Sequence, residues 1–419
     1  MERLLNSRWF HAGFCVLLAL STVVVYSNTF DAAFHFDDFP KIVDNYLIRD
    51  LRNLPAIITG QRGLTMATFA LNYAVGGLDV TGYHVVNTLI HVANAVLAYF
   101  LLFNTLSLAG GGEPWSKKVA AYASLLFALH PIQTESVTYI VQRMESLSSL
   151  FYLAALLVFI KAARARAAAG RALLYAGVVV CYILGFYSKE VAVTLPAVLF
   201  LYDFYFLGNR SMRTVAARWP LYAVMCVLLV YFVFATIVPL GGFGDLSDES
   251  AGRFAAAVTA RGGAPSAGFG VKGISPLEYL YTQFNVLVYY IALLLVPVNQ
   301  NLDYDFPVST GLFEVPAVRE GTVLNIPIPP PVVSLVVLLC IMGMGIYLFR
   351  RSRGGSGAVR AAAASFFIFW FFIILSPTSS FIPIIDVIFE HRVYLASLGF
   401  FAIFALCFDW FFDRVFGRG

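Results

Sequence analysis

Two adjacent aspartates, Asp37 and Asp38, sit in the stretch FHFDDFPKIVDN (34–45), directly after an apolar run. Adjacent carboxylates repel, which raises the pKa of one and suits it to take a proton near neutral pH. Three later segments add acids, bases and cations. HPIQTESVTYIVQRMES (130–146) carries His130, Glu135, Arg143 and Glu145; YSKEV (187–191) carries Lys189 and Glu190; FEHRVY (389–394) carries Glu390, His391 and Arg392. Arginine grips a phosphate through a planar two-pronged fork, and lysine acts on it as a point charge. A base beside such cations can move a group from a phosphate leaving group to an incoming hydroxyl. The bland reading of the same residues is helix capping by Asp38, with Pro40 near the start of a short helix, and salt bridges among loops.

A second polar set lies inside an apolar run. His84, Asn87, His91 and Asn94 are spaced 3, 4 and 3 apart, which puts them on one helix face. Interhelical hydrogen bonding explains such a stripe as readily as a site does. Two histidines seven apart stand two helical turns from each other, too far to chelate a metal alone. The five cysteines, Cys15, Cys181, Cys226, Cys340 and Cys407, all fall in apolar runs without metal-ligand spacing. They indicate neither a disulfide framework nor a zinc site.

The elements that position these groups must be membrane helices. The 419 residues are 60% hydrophobic and only 12% charged, with mean hydropathy +0.79. Soluble domains carry roughly 25% charged residues, so soluble classes are excluded. The net charge of +4 comes with no basic, aromatic-interleaved surface, which argues against a nucleic-acid partner. Apolar runs centred near residues 18, 95, 125, 155, 180, 198, 229, 340, 370 and 403 each suit a helix crossing a core ~30 Å thick. The first run, Phe10 to about Tyr26 behind Arg3 and Arg8, outlasts a signal-peptide core and precedes no A-x-A site, so it reads as an uncleaved span.

Lys and Arg set the orientation. KAARARAAAGR (161–171), GNRSMRTVAARW (208–219) and RRSRGGSGAVR (350–360), with Lys117 and Lys118, are expected on the cytoplasmic side. Threading the chain accordingly places on the outer side a first loop of about 29–82, segments 130–146, 187–191 and 389–394, and a long stretch of about 240–330. LEYLYTQFNVLVYYIALLLVP (277–297) carries Glu278, Thr282, Gln283 and Asn285, and a crossing there would put RRSRGG outside. It is therefore expected to be re-entrant or interfacial. The expected fold is an all-α polytopic membrane protein: one bundle of about ten transmembrane helices with outer-face juxtamembrane helices, without internal repeats or a separate soluble domain. Ionisable groups at membrane depth are costly unless they meet or line a cavity, so the four outer segments are expected to converge.

FDDFPKIVDN, RGLTMATFALNY, YHVVNTLIHVANA, FALHPIQTESVTYIVQRMESL, YSKEVAVTLPAVLFLYD and EHRVYLASLGF follow one another from about residue 34 to 400. Together they resemble the transmembrane O-mannosyltransferases that act on cadherins, and their bacterial relatives, within the GT-C superfamily. The resemblance implies a single GT-C transmembrane domain over 1–419 and a polyprenyl-phosphate-linked sugar donor, the sugar being mannose or another hexose. It implies a catalytic base in the acidic motif, here Asp37 and Asp38, with Asp38 favoured, and inverting transfer. Arg392, Lys189, Arg143 and His391 are the expected contacts of the donor phosphate. His130, Glu135, Glu145, Glu190, Glu390, Arg62, His84 and His91 are expected in support. A monophosphate held by fixed cations needs no divalent ion, so no metal or other cofactor is expected.

Two departures from the family pattern shape what else is expected. Family members commonly continue into one more span and tandem tetratricopeptide-type repeats, whereas this chain stops at Phe416-Gly-Arg-Gly; a partner protein is then expected to replace the repeats. Arg62-Gly63-Leu64 stands where the family has Arg-Pro-Leu, and glycine constrains that turn less than proline does. The Ala-rich composition favours a bacterial inner-membrane enzyme whose active face meets the periplasm. The expected acceptor is a Ser or Thr hydroxyl of an exported protein. A lipid or polysaccharide hydroxyl would use the same chemistry. The rival of another class is a transporter or flippase for lipid-linked sugars, which would place its ionisable groups near the midplane of paired halves.

Overall fold

The computed structural model describes residues 5–237, 267–268, 271, 273–324, 326–353 and 357–416. Much of the expected long outer stretch, 238–266, lies outside the described residues. In chain order the main helices are α1 (Phe10–Tyr26), α2 (Gly63–Gly76), α3 (Val80–Leu108), α4 (Glu113–Leu129), α5 (Arg143–Arg164) and α6 (Ala168–Ser188). They continue as α7 (Leu195–Tyr202), α8 (Trp219–Ile237), α9 (Pro276–Leu295), α10 (Pro331–Arg351), α11 (Ala358–Leu375) and α12 (Tyr394–Phe416). All ten apolar runs fold as helix. Eight segments among the described residues are long and apolar enough to cross a membrane; α4 and α8 are shorter runs at the two remaining expected positions. The chain is an all-α polytopic membrane protein.

Helices joined by short linkers pack as antiparallel neighbours, α5 on α6, α3 on α4 and α10 on α11. Small residues set the closest approaches, as membrane interfaces require. A Cβ on Gly399 of α12 would lie 2.7 Å from the Phe367 carbonyl oxygen and 2.9 Å from the Trp370 ring, both on α11.

The bundle has two chemically different ends. At one end, Trp115, Lys118 and Arg360 all donate to buried Asp409, at 2.7, 2.6 and 2.6 Å. Lys117 there reaches the Leu5 carbonyl at 3.0 Å. The basic linkers lie at this end. The other end holds the segment after α1, the 130–142 connection, Lys189 and the lead-in to α12.

Helix α9 belongs to that second end. It starts with a capping box, in which Ser275 and Glu278 satisfy each other's backbone N–H. Tyr279 donates to Thr378 O at 2.6 Å, Gln283 to Val387 O at 2.8 Å and Tyr290 to Phe389 O at 2.8 Å. Asn285 accepts from Ser334, in the first turn of α10, at 2.6 Å. These partners lie where α11 ends and where α10 and α12 begin, so α9 runs along the end face. It is one unbroken 20-residue helix. The polar residues in its first half serve as ties to these neighbouring loops.

Candidate active site at the acidic end

Past α1 the chain bends through Phe36, whose φ is +39°, and the two aspartates part company. Asp38 is 1% exposed. Its Oδ1 accepts the Val141 N–H at 2.7 Å and its Oδ2 the His35 N–H at 3.0 Å. It makes no side-chain cap for the short Phe39–Val43 turn, so the capping reading gives way to a tie between the first outer segment and the residues before α5. Burial raises its pKa to about 6, against the pull of those two N–H groups. Asp37 is exposed, and its backbone N–H donates to the Tyr139 hydroxyl at 2.8 Å. Among the described residues its carboxylate makes no hydrogen bond or ion pair. The pKa thus points to Asp38 as a base and access points to Asp37. A general base must reach its proton, and of the two only Asp37 is exposed.

Of the cations expected at the donor phosphate, Arg143 is fully buried and already spent. Its guanidinium donates to Asn87 Oδ1 at 2.6 Å, Thr68 Oγ1 at 3.1 Å, Asn72 Oδ1 at 2.6 Å and Tyr83 O at 3.0 Å. It also stacks over Phe69, 4.6 Å from the ring centre. Through these bonds Arg143 staples α2 and α3 to α5. Lys189 bonds Glu145 at 2.7 Å and Gln142 at 3.3 Å, and burial holds its pKa below the usual lysine range despite Glu145. Arg62 forks onto Glu190, with both carboxylate oxygens 3.1 Å from Nε. Arg62 has φ +53°, and a Cβ on Gly63 would fall 2.2 Å from the Ile58 carbonyl oxygen. Close contact constrains this turn where proline would otherwise do so.

Arg392 is different. It donates to the carbonyls of Asp386 at 2.8 Å and Val387 at 3.2 Å and lies over the Phe389 ring at 5.3 Å. Among the described residues no carboxylate pairs with it. Asp37 lies within electrostatic reach of Arg62 and Asp386, and Glu135 within reach of Lys189 and Arg392. The four outer segments converge, as their cost in lipid demands.

The supporting residues lock these segments together. Glu135 meets His391 twice, Oε1 at 2.6 Å from Nδ1 and Oε2 accepting the backbone N–H at 2.8 Å. Burial pushes the Glu135 pKa up to about 8, opposed by the His391 N–H, so near neutral pH it carries a proton to give to Nδ1. Glu390 accepts from the Tyr304 hydroxyl and, at 3.1 Å, from the Asn301 N–H. His130 caps the turn after α4 by accepting the Ile132 N–H at 3.2 Å, and burial lowers its pKa to about 4. His84 and His91 bond Ala32 O at 2.9 Å and Ala128 O at 3.0 Å, while Asn94 donates to Ser146 O at 2.7 Å. The polar stripe is interhelical bonding. Among the described residues no group of three or more His, Cys, Asp or Glu could hold a metal ion.

The Glu135 geometry predicts a pH effect. Its folded pKa lies above its unfolded value, so its contribution to stability is complete below about pH 4.5 and is lost as pH rises through about 8. Thermal melts of the wild type should fall across that window, and Glu135→Gln, which stays neutral, should flatten the dependence. An unchanged slope in the variant would assign the titration elsewhere.

Sequence reasoning did not single out Tyr139, Asp386, Tyr304 or Tyr394, whose hydroxyl lies 2.7 Å from His91 Nδ1. Tyr139 and Tyr394 fall inside quoted motifs, but nothing in one sequence says where a phenol will point.

The matches found among curated proteins carry related names. The chain is 36% identical over 162 residues to protein O-mannosyl-transferase TMTC3 of Mus musculus, covering 35% of this chain and 17% of the relative. It is 32% identical over 209 residues to protein O-mannosyl-transferase TMTC2 of Mus musculus, covering 46% and 24%. A protein O-mannosyl-transferase of Caenorhabditis elegans is 28% identical over 310 residues, covering 69% and 38%. The matched regions thus span less than two fifths of these relatives' own length. No protein-family model matches the chain, and no solved structure does.

Proposed function

We propose that this protein is an integral-membrane glycosyltransferase. It moves mannose or another hexose from a polyprenyl-phosphate donor to a Ser or Thr hydroxyl of an exported protein, with inversion at the anomeric carbon. The observation that carries the reading is an exposed carboxylate, Asp37, with no partner among the described residues, set in a cluster that also holds Arg392, a cation that no carboxylate pairs with among the described residues. Asp37 takes the acceptor hydroxyl proton as the oxygen attacks the anomeric carbon; the bond to the phosphate oxygen breaks and polyprenyl phosphate leaves. Arg392 stabilises the charge growing on that phosphate, with His391 beside it and Lys189 and Arg62 contributing field from their ion pairs. Asp38 and Tyr139 position Asp37. The names of the similar proteins support the sugar and the protein acceptor, and the arginine-rich opposite end supports a cytoplasmic placement of that end, with the site in the periplasm of a bacterial inner membrane.

The test is donor turnover by the purified protein, with a panel of polyprenyl-phosphate sugars and a periplasmic extract as acceptor. Release of polyprenyl phosphate from one donor, with the sugar recovered on protein, is the expected result. Sugar recovered on lipid or polysaccharide would reassign the acceptor. Movement of intact donor across a bilayer without cleavage would favour a flippase.

A further inference from the structure

The arginine-rich end holds a cavity of about 710 Å³ between the end of α3, the turn after α7 and the facing ends of α10 and α11. Its walls include Leu108, Tyr205, Phe206 and Ala362, and Arg210 and Arg353 also line it. The two cations are unneutralised among the described residues. Arg210 donates to Ser352 O at 3.1 Å and to Phe349 O at 3.4 Å, neither of them charged. The closest candidate acid on the same turn, Asp203, is occupied by Arg218 and Tyr222, each at 2.8 Å. Arg353 adds like charge beside Arg210: burial first, and then Arg353, hold the Arg210 pKa below the usual arginine range.

The backbone here is strained. Asn209 and Arg210 are consecutive non-glycine residues at φ +48° and +58°, a conformation that persists only where the surroundings enforce it and that gathers at ligand sites. A neighbouring cavity of about 240 Å³ supplies the contrast. Its arginine, Arg360, is neutralised by Asp409 at 2.6 Å and Asp413 at 2.5 Å, so it offers an anion nothing.

We infer that the larger cavity binds an anionic phospholipid, with Arg210 and Arg353 holding the head-group phosphate and the apolar wall meeting the start of its chains. A lipid is favoured over a soluble phosphate by position and by that wall. Helix α10, which brings Ser352 and Arg353 to the cavity, exposes Ile346 and Tyr347 a turn or two earlier, where acyl chains reach it. Basic pockets between membrane helices at the cytoplasmic side recognise such head groups.

Purified full-length protein in micelles, loaded with phosphatidylglycerol or phosphatidylcholine and read by native mass spectrometry, tests this. The wild type should retain phosphatidylglycerol about tenfold better, and Arg353→Glu and Arg210→Gln should each reduce that preference about fivefold. Arg353 is exposed and makes no hydrogen bond among the described residues, so Arg353→Glu should fold normally and keeps the test decisive if Arg210→Gln does not. Equal retention of both lipids by the wild type, or undiminished preference in Arg353→Glu, overturns the proposal. Displacement of the lipid by inorganic phosphate alone would overturn it in favour of a soluble phosphate ligand.

Discussion

Replacing Asp37 with asparagine should cut sugar transfer by roughly 10²–10⁴-fold, the range a general base contributes, while the melting temperature stays at the wild-type value. The fold should not notice, because among the described residues the exposed carboxylate has no partner to lose. Asp38→Asn should behave in the opposite way. Asparagine offers one oxygen and one NH₂ where two oxygens now accept the buried Val141 N–H and the part-buried His35 N–H, so one of these N–H groups loses its acceptor and faces another donor. An orphaned buried group costs about 1–3 kcal/mol, and activity should fall with the displaced loop rather than with the chemistry. Measuring kcat, KM and melting temperature for both variants separates the roles. The pH profile adds an independent check. If Asp38 were the base, the rate would climb through about pH 6, where burial has placed its pKa, and Asp38→Asn would erase that limb. A folded Asp37→Asn enzyme that still turns over donor would move the base to Asp38.

This pair of aspartates marks where a sequence stops being legible. The helices could be read because lipid imposes a simple demand: every backbone polar group must be satisfied internally. Apolar runs and the placement of Lys and Arg therefore announce spans and their order, and Glu278, Thr282, Gln283 and Asn285 announce that α9 does not cross as an ordinary span. The convergence of the four segments was also readable, since buried charges must find one another. The division of labour inside the cluster was not. Arg143 and Arg392 both occupy charged motifs, and only tertiary contacts distinguish them. Arg143 meets Asn72 and Thr68, 71 and 75 residues earlier in the chain, whereas Arg392 donates to the carbonyls of Val387 and Asp386, close by in the chain. Nor could one sequence show that Gly63 sits too close to the Ile58 carbonyl for any side chain. Such facts live in three-dimensional packing, which hydropathy and spacing do not encode.

Arg143 carries the other large expected effect, and it falls on stability. Arg143→Leu removes the donor from Asn87, Asn72, Thr68 and the Tyr83 carbonyl together, leaving the buried Asn87 and Tyr83 oxygens and the part-buried Thr68 and Asn72 oxygens without that donor. Each buried acceptor left unsatisfied costs about 1–3 kcal/mol, and losing several together is enough to deplete folded protein in a membrane extract. Arg143→Lys should rescue little. A single ammonium has the charge but lacks the fork that reaches two neighbouring helices from different directions, and the stacking on Phe69 and Tyr83 goes with the guanidinium. Asn72→Ala, which removes one acceptor, should cost less and leave a folded protein for kinetics. A phosphate ligand would behave otherwise: Arg143→Lys would fold, melt normally and raise the KM for donor. The measurement is therefore melting temperature and donor KM across Arg143→Leu, Arg143→Lys and Asn72→Ala. The expected pattern is loss of stability graded by the number of acceptors orphaned, with donor KM unchanged in whichever variants fold. A normal melt with a raised donor KM in Arg143→Lys would return this arginine to the active site.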